Sequence, residues 1–93
     1  MLNNVIDETP IQLIENKKNN IFMKRDDLIP FSFGGNKVRI AYEYIKDLQK
    51  KNYSCMVAYG NSRSNLCRAI ANMCNIYHID CYVISPIEER WGL

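Results

Sequence analysis

Lys37 follows Gly34-Gly35-Asn36 and opens a stretch with helical apolar spacing. A cation in the first turn of a helix meets the positive end of the helix dipole. By helical angle Lys37 also lies at the edge of the apolar stripe, beside Val38 and Ala41. Both the dipole and the partial loss of hydration favour the neutral amine over the ammonium. The neutral amine is the nucleophile that imine formation requires. On placement alone the commoner reading is a lysine that points to water. A nucleotide phosphate loop does not fit, because Gly-Gly-Asn-Lys lacks the second glycine, the spacing and the Ser/Thr of that motif.

A second group of polar residues, Gly60-Asn61-Ser62-Arg63-Ser64-Asn65, stands between an apolar strand and a helix. Unpaired backbone N–H groups at a helix start suit an anion such as a carboxylate, and Ser64 and Asn65 add side-chain donors. Ordinary N-capping by Ser62 or Ser64 accounts for the same residues. The four cysteines, Cys55, Cys67, Cys74 and Cys81, form no Cys-x-x-Cys pair, and His78 is the only histidine. Buried free thiols in a reducing compartment are expected here, with no metal site and no disulfide.

The elements that must position these groups follow from apolar periodicity. Ile11-Gln12-Leu13-Ile14 and Ile21-Phe22-Met23-Lys24 are strand candidates flanking a turn at 15–20, and together they suggest a hairpin. Arg25 to Pro30 leads into the glycine loop. A helix is expected at about 36–51, with Val38, Ala41, Ile45 and Leu48 on one face. A βαβ pattern follows: a strand at 54–59, a helix at about 65–77 with Leu66, Ile70, Met73 and Tyr77 on one face, and a strand at 81–84. Strands this apolar imply a parallel α/β layer buried on both faces.

The composition of the 93 residues is globular, with 47% hydrophobic residues. A net charge of +2 without a basic stripe does not support nucleic-acid binding. The first eight residues lack the features of a leader, and no apolar run approaches the roughly 20 residues a membrane span needs. A cytoplasmic protein with no membrane partner is expected. The stretch from Pro86 to Leu93 has no helix period, and one βαβ unit leaves apolar faces without partners. The chain therefore reads as the N-terminal part of a longer protein, divided into a segment 1–53 with the lysine helix and the start of a smaller α/β domain at 54–93.

Three segments taken together carry a resemblance. They are Lys24-Arg25-Asp26-Asp27-Leu28, then Pro30-Phe31-Ser32-Phe33-Gly34-Gly35-Asn36-Lys37-Val38-Arg39, then Ser64-Asn65. From about Thr9 to Pro86 the sequence resembles the aminocyclopropane-carboxylate deaminase and D-cysteine desulfhydrase family. That family belongs to the tryptophan synthase β-like, fold-type II pyridoxal-phosphate enzymes. The resemblance implies an α/β fold that is an incomplete fold-type II unit: an N-terminal hairpin and lysine helix, then a βαβ unit of a parallel sheet. It implies pyridoxal 5′-phosphate as cofactor, with Lys37 as Schiff-base lysine and carrier of the substrate proton. It implies that Asn65 hydrogen-bonds the 3′-oxygen of the pyridine ring and that Asn36 supports the lysine and the phosphate end. Ser62, Ser64 and Asn65 would hold the substrate carboxylate, with Ser64 assisting the chemistry. A homodimeric parent acting on a small amino acid is implied as well.

The implied activity is a lyase or deaminase reaction on that amino acid, releasing ammonia and a 2-oxo acid. Dehydratase, racemase and β-replacement chemistry belong to the same superfamily, and a non-catalytic α/β module is the alternative from another class. Three positions depart from the family pattern. Leu66 stands where Gln or His is usual, Ile40 where many members carry a basic residue, and Gly60-Asn61-Ser62-Arg63 replaces a Gly-Gly start. The glycine-rich phosphate cup and the group facing the pyridine nitrogen are not among these 93 residues, so the chain alone is expected to be inactive.

Overall fold

The computed structural model describes residues 6–14 and 18–87. The expectations for the first five residues, for positions 15–17 of the hairpin turn and for 88–93 lie outside the described residues. Strands β1 (Ile11–Ile14) and β2 (Ile21–Lys24) pair antiparallel, with Ile11 opposite Lys24 and Ile14 opposite Ile21. A 3-10 turn at Asp26–Leu28, which periodicity does not reveal, leads into the glycine loop. Helix α1 (Asn36–Lys50), strand β3 (Cys55–Tyr59), helix α2 (Asn65–Tyr77) and strand β4 (Asp80–Ile84) complete the order. β3 and β4 are parallel, with Cys55 opposite Asp80 and Tyr59 opposite Ile84. The α/β class and the βαβ unit expected from the sequence are therefore present.

Each helix has local reasons for its ends. α1 starts after Gly35, whose φ of 94° and ψ of 165° are open to glycine and costly for other residues. It closes where Asn52 turns left-handed and the Tyr53 N–H donates to Leu48 O at 3.1 Å. α2 is capped by Ser64 and stops at His78, also left-handed, where the Ile79 N–H donates to Cys74 O at 2.9 Å. The single histidine thus terminates a helix.

The four expected stripe residues of α1 are all buried. On α2 the buried face is Cys67, Ala69, Ile70, Met73 and Cys74, with Leu66 and Tyr77 only partly buried against it. The buried face keeps Ile70 and Met73 of the expected stripe and is wider than it, extending to Ala69 on one side and to Cys67 and Cys74 on the other. Val38, Ala41, Ile45, Ala58, Ile70 and Met73 share one buried cluster with Ile6 and Ile29. Full burial of a side chain such as Ile45 or Met73 contributes about 1.5–3 kcal/mol.

The sheet is covered on one side, not two as its apolar sequence suggested. Met56, Ala58 and Cys81 are at least partly buried against the helices, whereas Val57, Tyr59, Tyr82 and Ile84 are exposed. Two strands and one crossover helix can cover one face only. No helix among the described residues is long and apolar enough to cross a membrane. The cysteines are free: Cys67 and Cys74 are buried and Cys81 is half-buried, but Cys55 is exposed rather than buried. No group of metal-ligating side chains occurs among the described residues.

Candidate active site

The loop before α1 has an unusual backbone. Four consecutive residues have positive φ: Ser32 at 50°, Phe33 at 64°, Gly34 at 72° and Gly35 at 94°. Left-handed conformations are disfavoured for Ser and Phe, so the surrounding structure must impose them. The preceding segment forms the seat. A Cβ on Gly34 would come within 2.8 Å of Asp27 O and 3.1 Å of Ile29 O. The Gly35 N–H donates to Asp26 O at 2.8 Å.

The Lys-Arg-Asp-Asp-Leu segment is pinned in turn by its own side chains. Lys24 Nζ donates to Thr9 O at 2.6 Å and Asp7 O at 2.8 Å. Arg25 makes a two-pronged contact with the Asp27 carboxylate at 2.8 and 2.7 Å and donates to Gln12 Oε1 at 2.6 Å. The Arg25 hydrogen bond holds the Asp27 carboxyl below its usual range, and Asp27 raises Arg25. Arg39 Nε reaches from α1 to Asp26 Oδ1 at 2.7 Å, and Arg39 Nη2 donates to Thr9 Oγ1 at 3.1 Å. This segment, quoted above only for its resemblance, builds the platform under the glycine loop.

Lys37 is the second residue of α1, in the first turn as expected, and is half-buried. Its side chain makes no hydrogen bond or ion pair with the described residues, whereas Lys24, Lys46 and Lys51 are each engaged. Asn36, the first residue of the helix, is exposed beside it.

Ser64 is the N-cap of α2, and its Oγ accepts from the Cys67 N–H at 3.1 Å. The ordinary capping reading thus holds for Ser64, though not for Ser62, which is exposed in the turn. Asn61 Oδ1 accepts from the Arg63 N–H at 2.9 Å and shapes that turn. Gly60 lets β3 meet α2, since a Cβ there would lie 2.9 Å from Cys67 Sγ and 3.1 Å from Ser64 Cβ. Leu66 lines an apolar cavity of about 280 Å³ with Tyr44, Val57, Tyr59 and Ile70.

A residue the sequence reading passed over joins the two turns. Arg68 Nη1 donates to Asn65 Oδ1 at 2.8 Å, Nη2 to Ser32 O at 3.0 Å and Nε to Ser32 Oγ at 3.3 Å. Its guanidinium also lies 5.4 Å from the centre of the Phe33 ring. Asn72 Nδ2 donates to Ser32 Oγ at 2.8 Å. The loop that leads into the Lys37 helix and the turn that carries Ser64 and Asn65 are therefore tied through one side chain. The only sequence signal was the i,i+3 spacing of Asn65 and Arg68 on a helix.

The chain matches the family model described as pyridoxal-phosphate dependent enzyme over residues 2–89. It belongs to that family, whose cofactor is pyridoxal phosphate. The residues present fit the group. A half-buried amine without a partner is available to an aldehyde, and Asn65, with Oδ1 engaged by Arg68, keeps an unengaged Nδ2 donor for a ring oxygen.

Proposed function

From membership in the pyridoxal-phosphate dependent enzymes, we propose that this chain supplies the lysine side of an active site acting on a small amino acid. The observation that carries the reading is the half-buried, unpartnered Lys37 in the first turn of α1, directly after a loop braced by Asp26 and tied to α2. When bound, pyridoxal phosphate is the electron sink that stabilises negative charge at the substrate's α-carbon. Lys37 Nζ would hold the cofactor and then carry the α-proton. Asn65 Nδ2 would donate to the ring 3′-oxygen, and Asn36 would support the phosphate end. The N–H groups of the 62–65 turn, with the Ser62 and Ser64 hydroxyls, would orient the substrate carboxylate.

Within the family, the three sequence segments favour the aminocyclopropane-carboxylate deaminase and D-cysteine desulfhydrase group, hence a lyase or deaminase releasing ammonia and a 2-oxo acid. In this reading residues 1–53 belong to the cofactor-binding domain and 54–93 begin the smaller domain. The parent is a cytoplasmic homodimer. By themselves the 93 residues hold no glycine-rich phosphate cup, so they are not expected to hold the cofactor in a productive geometry or to turn over either amino acid.

The test is to incubate the chain with pyridoxal phosphate, reduce with borohydride and map the label by peptide mass spectrometry. Label on Lys37 in clear excess over Lys50, an exposed lysine, is expected. Equal labelling of the two would sink the assignment of Lys37. Ammonia release from D-cysteine by the chain alone would overturn the claim that it is inactive by itself.

A further inference from the structure

The geometry points to Arg68 as a positioning residue: it fixes which end of the Asn65 amide serves the cofactor and tethers the lysine loop to the same helix. This inference deepens the reading above and rests on Asn65 and Lys37 being cofactor residues. Three observations carry it. First, an arginine has donors only, so the Asn65 atom 2.8 Å from Nη1 must be the amide oxygen. The NH2 end is thereby turned away from Arg68 and left free to donate. An unrestrained, exposed asparagine would present oxygen and nitrogen alike, and the oxygen would repel a ring oxygen.

Second, the same guanidinium holds Ser32 at both its carbonyl and its hydroxyl, and Ser32 is the first of the four positive-φ residues. Asn72 adds a further bond to that hydroxyl. Ser32 and Phe33 are the non-glycine residues whose left-handed backbone needs outside support. Third, Arg68 forms no salt bridge with the described residues, unlike Arg25 and Arg39. Its positive charge is not cancelled locally, so it polarises the Asn65 amide and strengthens the N–H donor at the far end.

The roles separate by mutation. Arg68→Ala removes both tethers. Arg68→Lys keeps the charge, but one ammonium lacks the planar fork that spans Ser32 and Asn65. Asn65→Asp keeps a partner for Arg68 and removes the donor.

Two measurements on the 93-residue chain read the result, with circular dichroism confirming that α2 persists. The first, without cofactor, is NMR relaxation of the Asn65 Nδ2 group and of the Ser32–Phe33 backbone. The expected result is order in the wild type, fast motion of both in Arg68→Ala, and an ordered loop in Asn65→Asp. The second is the ratio of borohydride-trapped pyridoxyl label on Lys37 to that on Lys50. It should fall several-fold in Arg68→Ala, Arg68→Lys and Asn65→Asp. An Asn65 amide as ordered in Arg68→Ala as in the wild type would overturn the inference, as would an unchanged labelling ratio. A wild-type chain without preference for Lys37 would refute the cofactor reading, and the NMR measurement would still decide whether Arg68 holds the amide.

Discussion

Gly34 shows how far one atom constrains this site. With φ at 72° and the Asp27 carbonyl 2.8 Å from where a Cβ would stand, both conformation and space exclude a side chain. Gly34→Ala is expected to cost about 2–3 kcal/mol, combining left-handed strain with displacement of a backbone carbonyl. Chemical denaturation would show it as a lowered midpoint with an unchanged slope. Gly35 has open space around its Cβ position, so its constraint is the φ of 94° alone, and Gly35→Ala should cost less. Equal losses for the two variants would refute this division between clash and backbone strain.

At the scale of the element, α2 depends on its first turn. Ser64 Oγ satisfies the Cys67 N–H, one of the donors a helix start leaves unpaired. Ser64→Ala should lower stability by about 1 kcal/mol. The same hydroxyl was expected, from the family resemblance, to meet substrate. The two duties are compatible, because a hydroxyl that accepts one hydrogen bond retains its own O–H to donate. Ser64→Thr keeps the cap oxygen and should retain most of the stability that Ser64→Ala loses, read by thermal melting. A Ser64→Ala protein as stable as the wild type would show that the cap contributes nothing here.

At the scale of the whole molecule, the two helices and the inner face of the sheet share one core, and its burial makes stability depend on pH. Burial, reinforced by Cys81, pushes the Cys74 thiol up from 9.0 to about 12. In the unfolded chain the thiol ionises near its ordinary value, while the folded chain keeps it protonated. Above pH 9 the unfolded state therefore binds fewer protons, and stability must fall as pH rises from about 9 toward 12. Denaturant midpoints measured from pH 8 to 10.5 should decline, and less steeply in Cys74→Ala. Identical slopes in the two proteins would show that Cys74 is not the group responsible. The outer face of the sheet and the hairpin stand apart from this core, with Leu13, Phe22, Tyr59 and Tyr82 each more than half exposed.

The sequence by itself determined the local order of this chain. The hairpin strands, both helices and both parallel strands fall where short apolar runs between turn residues and helical spacing placed them, because both signals are local to the chain. It also located Lys37 in a first turn and a cap at Ser62 or Ser64, of which the structure selects Ser64, since glycine pairs and short polar side chains act on their immediate neighbours. The tertiary structure decided the rest. How wide a face of α2 is buried depended on the elements packed around it, which cover Cys67, Ala69 and Cys74 beside Ile70 and Met73. Whether the sheet has one covered face or two depended on how many helices reach it. Only the folded chain showed Asp26 under the glycine loop and Arg68 between Ser32 and Asn65, contacts that span as many as 36 residues. Local pattern carries no information about such partners. They determine how Lys37, legible as a residue of interest from the start, is held.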